Sequence, residues 1–197
     1  MKRIVVISGG LGSPSSTRIL GNDLAAQLRE ALAARGEGLE VTFAELREVA
    51  HPIVDAMLTG FPTGELARIT DSVAEADGLV VVSPTFSASI SGLVKSFFDI
   101  LETDSLKGKP VLLAATGGTE RHSLMLEFAM RPLLSYLGAL PVRTAIFAAT
   151  SDFGGKGVAS LERRVRAGAQ ELADALLGTR RQAAADDFVD FSTLLAS

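Results

Sequence analysis

The stretch Ile4-Val5-Val6-Ile7-Ser8-Gly9-Gly10-Leu11-Gly12-Ser13-Pro14-Ser15-Ser16-Thr17-Arg18 constrains this chain most. Its four β-branched apolar residues in a row mark a strand buried on both faces, as in a parallel sheet. A loop of glycines, proline and hydroxyls follows. Leu20, Leu24, Leu28 and Leu32 then recur every fourth residue, the apolar stripe of a helix. A strand that feeds a helix through so small a loop aims the helix's free N–H groups and positive dipole end at whatever lies there. Ser13, Ser15, Ser16 and Thr17 can add hydroxyl donors and Arg18 a full charge, so the loop reads as a phosphate cradle. The plain alternative is a strand–helix turn capped at Ser16 or Thr17.

The details of the loop narrow the phosphate. A dinucleotide fingerprint needs a glycine three residues after Gly12, and position 15 is serine. No Gly-Lys-Ser/Thr ends the loop as a Walker motif would. Hydroxyls suit a terminal phosphate monoester with several oxygens, such as the phosphate of FMN, which flavodoxin-like doubly wound folds hold in their first loop.

The remainder of the chain alternates in the same manner. A helix is expected from about 17 to 35 and a near-edge strand over 39–46. Residues 51–63, with two prolines and a glycine, read as a long surface loop. A helix follows over 64–76, then a doubly buried strand over 78–83 and a helix over 91–101. After them come a strand over 110–115, a helix over 122–137 that Pro132 should kink or break, a strand over 142–147, and a helix over 158–177. Alternating strands and helices imply a parallel sheet with right-handed crossovers. Ligands of such sheets sit beyond the carboxyl ends of the strands. Three stretches occupy those ends: the first loop, Ser83 to Gly92, and Thr116 to His122. All three are rich in glycine and hydroxyls, and the chain between them is not.

Length and composition bound the rest. The 197 residues fit one α/β domain, expected over 1–178, with 179–197 as a tail. Nineteen basic against twenty-three acidic residues give −4, so no basic surface argues for nucleic acid. The absence of cysteine removes thiolate chemistry and fits a reducing compartment. No apolar run approaches a membrane span, and the chain enters a strand at once, so a cytoplasmic protein is expected. Only His51 and His122 are histidines, and His122 reads as a helix-start residue. Asp152 reads as a turn residue, and Phe86 equally as a cap on its strand or as a surface under a planar ring.

Two further segments carry resemblance. Ala76-Asp77-Gly78-Leu79-Val80-Val81-Val82-Ser83-Pro84 through Ser91-Gly92-Leu93-Val94-Lys95, and Ala115 to Thr119 with His122 and Pro132, resemble the NADPH-dependent FMN reductase family. The nearest likeness is to reductases that feed reduced FMN to two-component monooxygenases, such as those of sulfonate assimilation. Gly12-Ser13-Pro14 with Ser15 to Arg18 also resembles the family's first loop, and the match covers roughly residues 3 to 150. The resemblance implies a flavodoxin-like, doubly wound, five-stranded parallel sheet in the order 2-1-3-4-5 with helices on both faces. It implies FMN, a nicotinamide donor (NADPH or NADH), and a homodimer or homotetramer built on the helices over 91–101 and 122–137. Phosphate contacts would fall on Ser13, Ser15, Ser16, Thr17 and Arg18. Ring and ribityl contacts would fall on Pro84, Thr85, Phe86, Ser87, Thr116, Gly117 and Gly118. The family's usual tyrosine after Ser/Thr-Pro is Phe86 here.

The resulting expectation is an NAD(P)H:FMN oxidoreductase that serves a monooxygenase. No proton-transfer residue is required, because hydride transfer needs stacking and distance. A quinone or azo-dye reductase with FMN as prosthetic group, and an electron-carrier flavodoxin, are the alternatives. Phe97, Phe98, Leu101, Met125, Phe128, Met130 and Leu134 crowd two helices and are expected at a subunit interface. In the tail, Phe188, Phe191, Leu194 and Leu195 fall at i, i+3, i+6 and i+7, and docking onto a neighbouring subunit or near the flavin entrance is expected.

Overall fold

The structure is a computed structural model that describes residues 1–102, 104–154 and 157–178. The tail and its expected docking lie outside the described residues. The elements are β1 (Lys2–Ser8), α1 (Ser16–Ala33), β2 (Leu39–Glu45), α2 (Ala50–Thr59), α3 (Gly64–Glu75) and β3 (Gly78–Phe86). Then come β4 (Ser89–Ile90), α4 (Gly92–Asp99), β5 (Pro110–Gly117), α5 (Arg131–Tyr136), β6 (Leu140–Ala149) and α6 (Val158–Leu176). The sheet runs β2-β1-β3-β5-β6, all parallel, and β4 adds a short antiparallel strand to β3. Without β4 this is the expected order 2-1-3-4-5. Among the described residues, no helix is long and apolar enough to cross a membrane.

Parity along β1 divides the core. Ile4 and Val6 face α1 and α6, where Leu20, Leu24, Leu28 and Leu32 are fully buried. Val5 and Ile7 face the opposite layer, where α2, α3, α4 and α5 supply Ile53, Leu66, Val94 and Leu134. Each fully buried leucine contributes roughly 2 kcal/mol.

Residues 51–63 were expected as a loop, but α2 occupies most of them. Pro52 is only the third residue of α2, where a missing N–H breaks no intrahelical bond. Ile53 and Ala56 are buried, and Gly60 at φ +90° ends the helix. The helix expected over 122–137 is broken into a 3₁₀ turn (Glu120–His122), a π-helical turn (Leu126–Met130) and α5, with Pro132 in the first turn of α5. The expected interface residues are mostly core. Phe97, Phe98, Met125, Met130 and Leu134 are buried within the chain, and Leu101 packs against the same core. Phe128 alone of the seven is exposed, at 77%.

A register shift in the β5–β6 ladder, between Val111 and Leu113, bulges β6. Its loose backbone groups find side-chain partners. Arg131 donates to the carbonyls of Val142 (2.9 Å) and Arg143 (3.0 Å), and Glu171 accepts from the N–H groups of Arg143 (2.9 Å) and Thr144 (2.8 Å). Burial would raise the Glu171 carboxyl, but these hydrogen bonds outweigh it and hold it below its ordinary 4.5. The hydrogen bond from Arg131 likewise lowers Glu127. The folded state therefore releases protons that the unfolded chain keeps near pH 4.5. Their stabilisation is complete above the ordinary value and is lost as pH falls through the depressed ones. Acid titration followed by circular dichroism should show stability declining below about pH 4.5. Glu171→Gln should flatten part of that decline, and an unchanged slope would remove Glu171 from it.

Candidate functional site

The first loop folds onto itself because two of its residues lack a side chain. A Cβ on Gly10 would lie 2.1 Å from Ser15 Oγ and 3.1 Å from Thr17 Cβ, and one on Gly9 would lie 2.2 Å from Val94 Cγ2. Ser15, not Ser16 or Thr17, caps α1: its Oγ accepts the Arg18 N–H at 3.2 Å. Its own O–H stays available to donate. Thr17 is buried, and its Oγ1 lies 3.1 Å from Thr116 Oγ1, tying the start of α1 to the end of β5. Ser13 and Ser16 are exposed on the same loop.

Arg18 was expected over the phosphate, but its charge lies elsewhere. Its guanidinium pairs with Glu45 at 2.6 Å, bonds Asn22 at 2.9 Å and lies 3.9 Å over the Phe43 ring. A second arginine holds the loop instead. Arg47 donates to the Gly12 carbonyl at 2.6 Å, and its Nε is 3.4 Å from the other Glu45 oxygen. The Glu45 side chain, 10% exposed at the carboxyl end of β2, thus sits between two arginines. Sequence reasoning missed both Glu45 and Arg47. The available signal was their place at the same sheet end as the cradle.

The second stretch forms a hairpin. β3 continues past Ser83 to Phe86, turns through Ser87 (φ +48°) and Ala88 (φ +62°), and returns as β4. Two left-handed residues in succession make the mirror-image turn that suits a hairpin, here without glycine. Buried Ser83 pins both ends: its hydroxyl donates to the Pro84 carbonyl (2.8 Å) and accepts the Ser91 N–H (3.0 Å). Phe86 is 45% exposed, so it is not a core cap.

In the third stretch a Cβ on Gly117 would lie 2.7 Å from Phe147 Cζ. That glycine lets β5 end flush against the hairpin, where Thr85 Oγ1 is buried with no hydrogen-bond partner among the described residues. Lys95 pairs with Asp99 on the α4 surface. Asp152 accepts the Ala149 N–H (2.9 Å) and pairs with Arg164 (3.1 Å), the work of a turn residue. His122 ends the 3₁₀ turn and lines no part of the cleft.

Together the three stretches enclose a cleft of about 530 Å³. Pro14, Ser16 and Ile19 line it from the cradle side, and Pro84, Thr85 and Phe86 from the hairpin. Thr116, Gly117 and Gly118 form the floor, with Thr150 and Phe153 opposite. None of these lining residues is ionisable.

Residues 2–154 match the family described as NADPH-dependent FMN reductase. The chain belongs to that family. The reductase is 35% identical over 182 residues to an FMN reductase (NADPH) of Pseudomonas aeruginosa, spanning 91% of this chain and 95% of that one. It is also 35% identical to the NADH-dependent FMN reductase SfnF of Pseudomonas fluorescens, spanning 90% and 92% of the two chains. Among solved structures, an oxidoreductase from Corynebacterium diphtheriae superposes with a TM-score of 0.87 at 47% identity, covering 90% of this chain and 97% of that one. The apo form of an NADH:FMN oxidoreductase superposes at 0.73 with 29% identity, covering 86% and 89%.

The reductase is accordingly an NAD(P)H-dependent oxidoreductase with FMN and a nicotinamide as cofactors. The donor set of the site fits FMN at both ends. Serine hydroxyls at a helix N-terminus suit a phosphate monoester, and glycines, prolines and Phe86 around an uncharged cleft suit a planar ring.

Proposed function

We propose that the enzyme takes up FMN as an exchangeable substrate, reduces it, and supplies it to a flavin-dependent monooxygenase. The observation that carries this reading is the junction of a hydroxyl cradle with a ring-sized cleft whose lining is not ionisable. FMN held there would supply the hydride-accepting chemistry, with the nicotinamide as donor. The residues bind and orient. Ser13, Ser15 and Ser16 offer hydroxyls to the phosphate, and Ser16 and Thr17 offer the backbone N–H groups that the first turn of α1 leaves free. Arg47 holds the loop in shape through Gly12, and Arg18 acts on it through Glu45. Pro84, Thr85, Phe86 and Ser87 on one side, and Thr116, Gly117 and Gly118 on the other, would hold the ring and its ribityl chain between them. The monooxygenase partner rests on the resemblance to reductases that feed two-component systems. A homo-oligomer is proposed with it, on the exposed Leu124, Phe128 and Tyr136 rather than the buried phenylalanines.

Steady-state kinetics with free FMN and each nicotinamide varied tests the reading. Donor oxidation that saturates with added FMN is expected, and flavin should be lost on gel filtration. Flavin retained through the column, with turnover only on an added quinone, would favour a prosthetic role. Arg47→Ala should weaken FMN about tenfold and riboflavin little, because it loosens only the phosphate loop. Equal losses for the two flavins would show that Arg47 does not serve the phosphate.

A further inference from the structure

The cleft does not stand alone. Ile19 and Phe153, which line it, also line a second groove of about 480 Å³ between α1 and α6. Ala26, Leu161 and Val165 give that groove an apolar floor. Asp23 stands over it from α1, and Glu162 and Arg166 from α6. Among the described residues these three charges make no hydrogen bond or ion pair. Burial, and then the charge of Glu162, raise the Asp23 carboxyl, so the two carboxylates act on the same space.

We propose that this groove is the subsite for the adenosine half of the nicotinamide donor, and that Asp23 and Glu162 make NADH the better donor. The inference rests on the reading that a flavin ring fills the adjoining cleft. With the ring in place, a dinucleotide can lay its nicotinamide there, and the groove that shares Ile19 and Phe153 with the cleft offers the adjoining space for the remainder. The apolar floor suits the face of a purine. The carboxylates suit hydroxyl and amine donors, and an acid that binds the ribose 2′-hydroxyl is how other dinucleotide sites select NAD. A 2′-phosphate in the same place meets Asp23 and Glu162 against Arg166, while the third carboxylate of the lining, Asp152, is paired with Arg164. Arg166, one turn from Glu162, is then left for the pyrophosphate between the two halves.

Calorimetric titration of the full chain with ADP-ribose and with 2′-phospho-ADP-ribose tests this without flavin chemistry. ADP-ribose should bind about tenfold more tightly, and Asp23→Asn combined with Glu162→Gln should weaken it about tenfold and narrow the gap. Equal binding of the two ligands, or affinities that the double variant leaves unchanged, overturns the proposal. FMN affinity of the double variant should match that of the unaltered protein, which shows an intact fold. A loss of FMN affinity would place these residues on the flavin instead and also overturn it. If FMN-dependent NADH oxidation is present while ADP-ribose ignores the variants, the groove fails alone. If neither donor reduces FMN, the parent reading fails, and the ADP-ribose titration still decides the groove.

Discussion

Gly10→Ala should lower FMN affinity by roughly ten- to a hundredfold. The added methyl would lie 2.1 Å from Ser15 Oγ and 3.1 Å from Thr17 Cβ. Serine can rotate away, but Ser15 Oγ caps α1, and losing a cap costs about 1 kcal/mol. Thr17 cannot yield freely either, because its hydroxyl meets Thr116 in a buried contact. The substitution therefore misplaces a serine that should face the phosphate, and one charge-assisted hydrogen bond is worth about 1.5–3 kcal/mol. That bond alone comes to roughly one to two powers of ten in affinity, and the weakened cap is a separate cost in stability. Parallel titrations with FMN and riboflavin check it. The loss should be confined to FMN, and a variant that binds FMN normally would show that this turn does not hold the phosphate.

Phe97→Ala should cost about 3–5 kcal/mol of stability, the range for a buried phenylalanine that leaves a cavity. Phe97 is fully buried and meets Phe98 edge to face, with ring centroids 5.6 Å apart at 71°. Urea unfolding at several protein concentrations separates this from an interface role. A core residue lowers the midpoint alike at every concentration. If the variant instead dissociated an oligomer with its unfolding midpoint intact, the burial assigned here would be wrong.

The legible parts of the chain were those written in local periodicity. The run Ile4–Ile7 and the leucines of α1 announced their elements because strand and helix repeat at fixed intervals. The clustering of glycine and hydroxyls at the strand ends likewise marked one end of the sheet. Four features were hidden for physical reasons. Pro52, Gly60 and Pro62 look like breakers in any local window, and only the burial of Ile53 and Ala56 turns that stretch into α2. Phe97 and Phe98 reveal that they are covered, but not by which surface. The Arg47–Gly12 contact joins residues 35 apart, a distance no motif spans. Arg18 shows its charge in the sequence but not that Glu45, 27 residues on, would claim it.

The cluster of Arg18, Glu45 and Arg47 has a consequence for how long a ligand stays. Two cations and one anion leave a single positive charge in excess beside the first loop. The amino end of α1 adds about half a charge more. A phosphate monoester brings about −1.5 to −2 at neutral pH. With Glu45 in place, neutrality is barely reached or falls short, so hydroxyls and backbone must supply much of the grip. Such a berth supports the proposal made above that the flavin is exchanged between turnovers rather than retained.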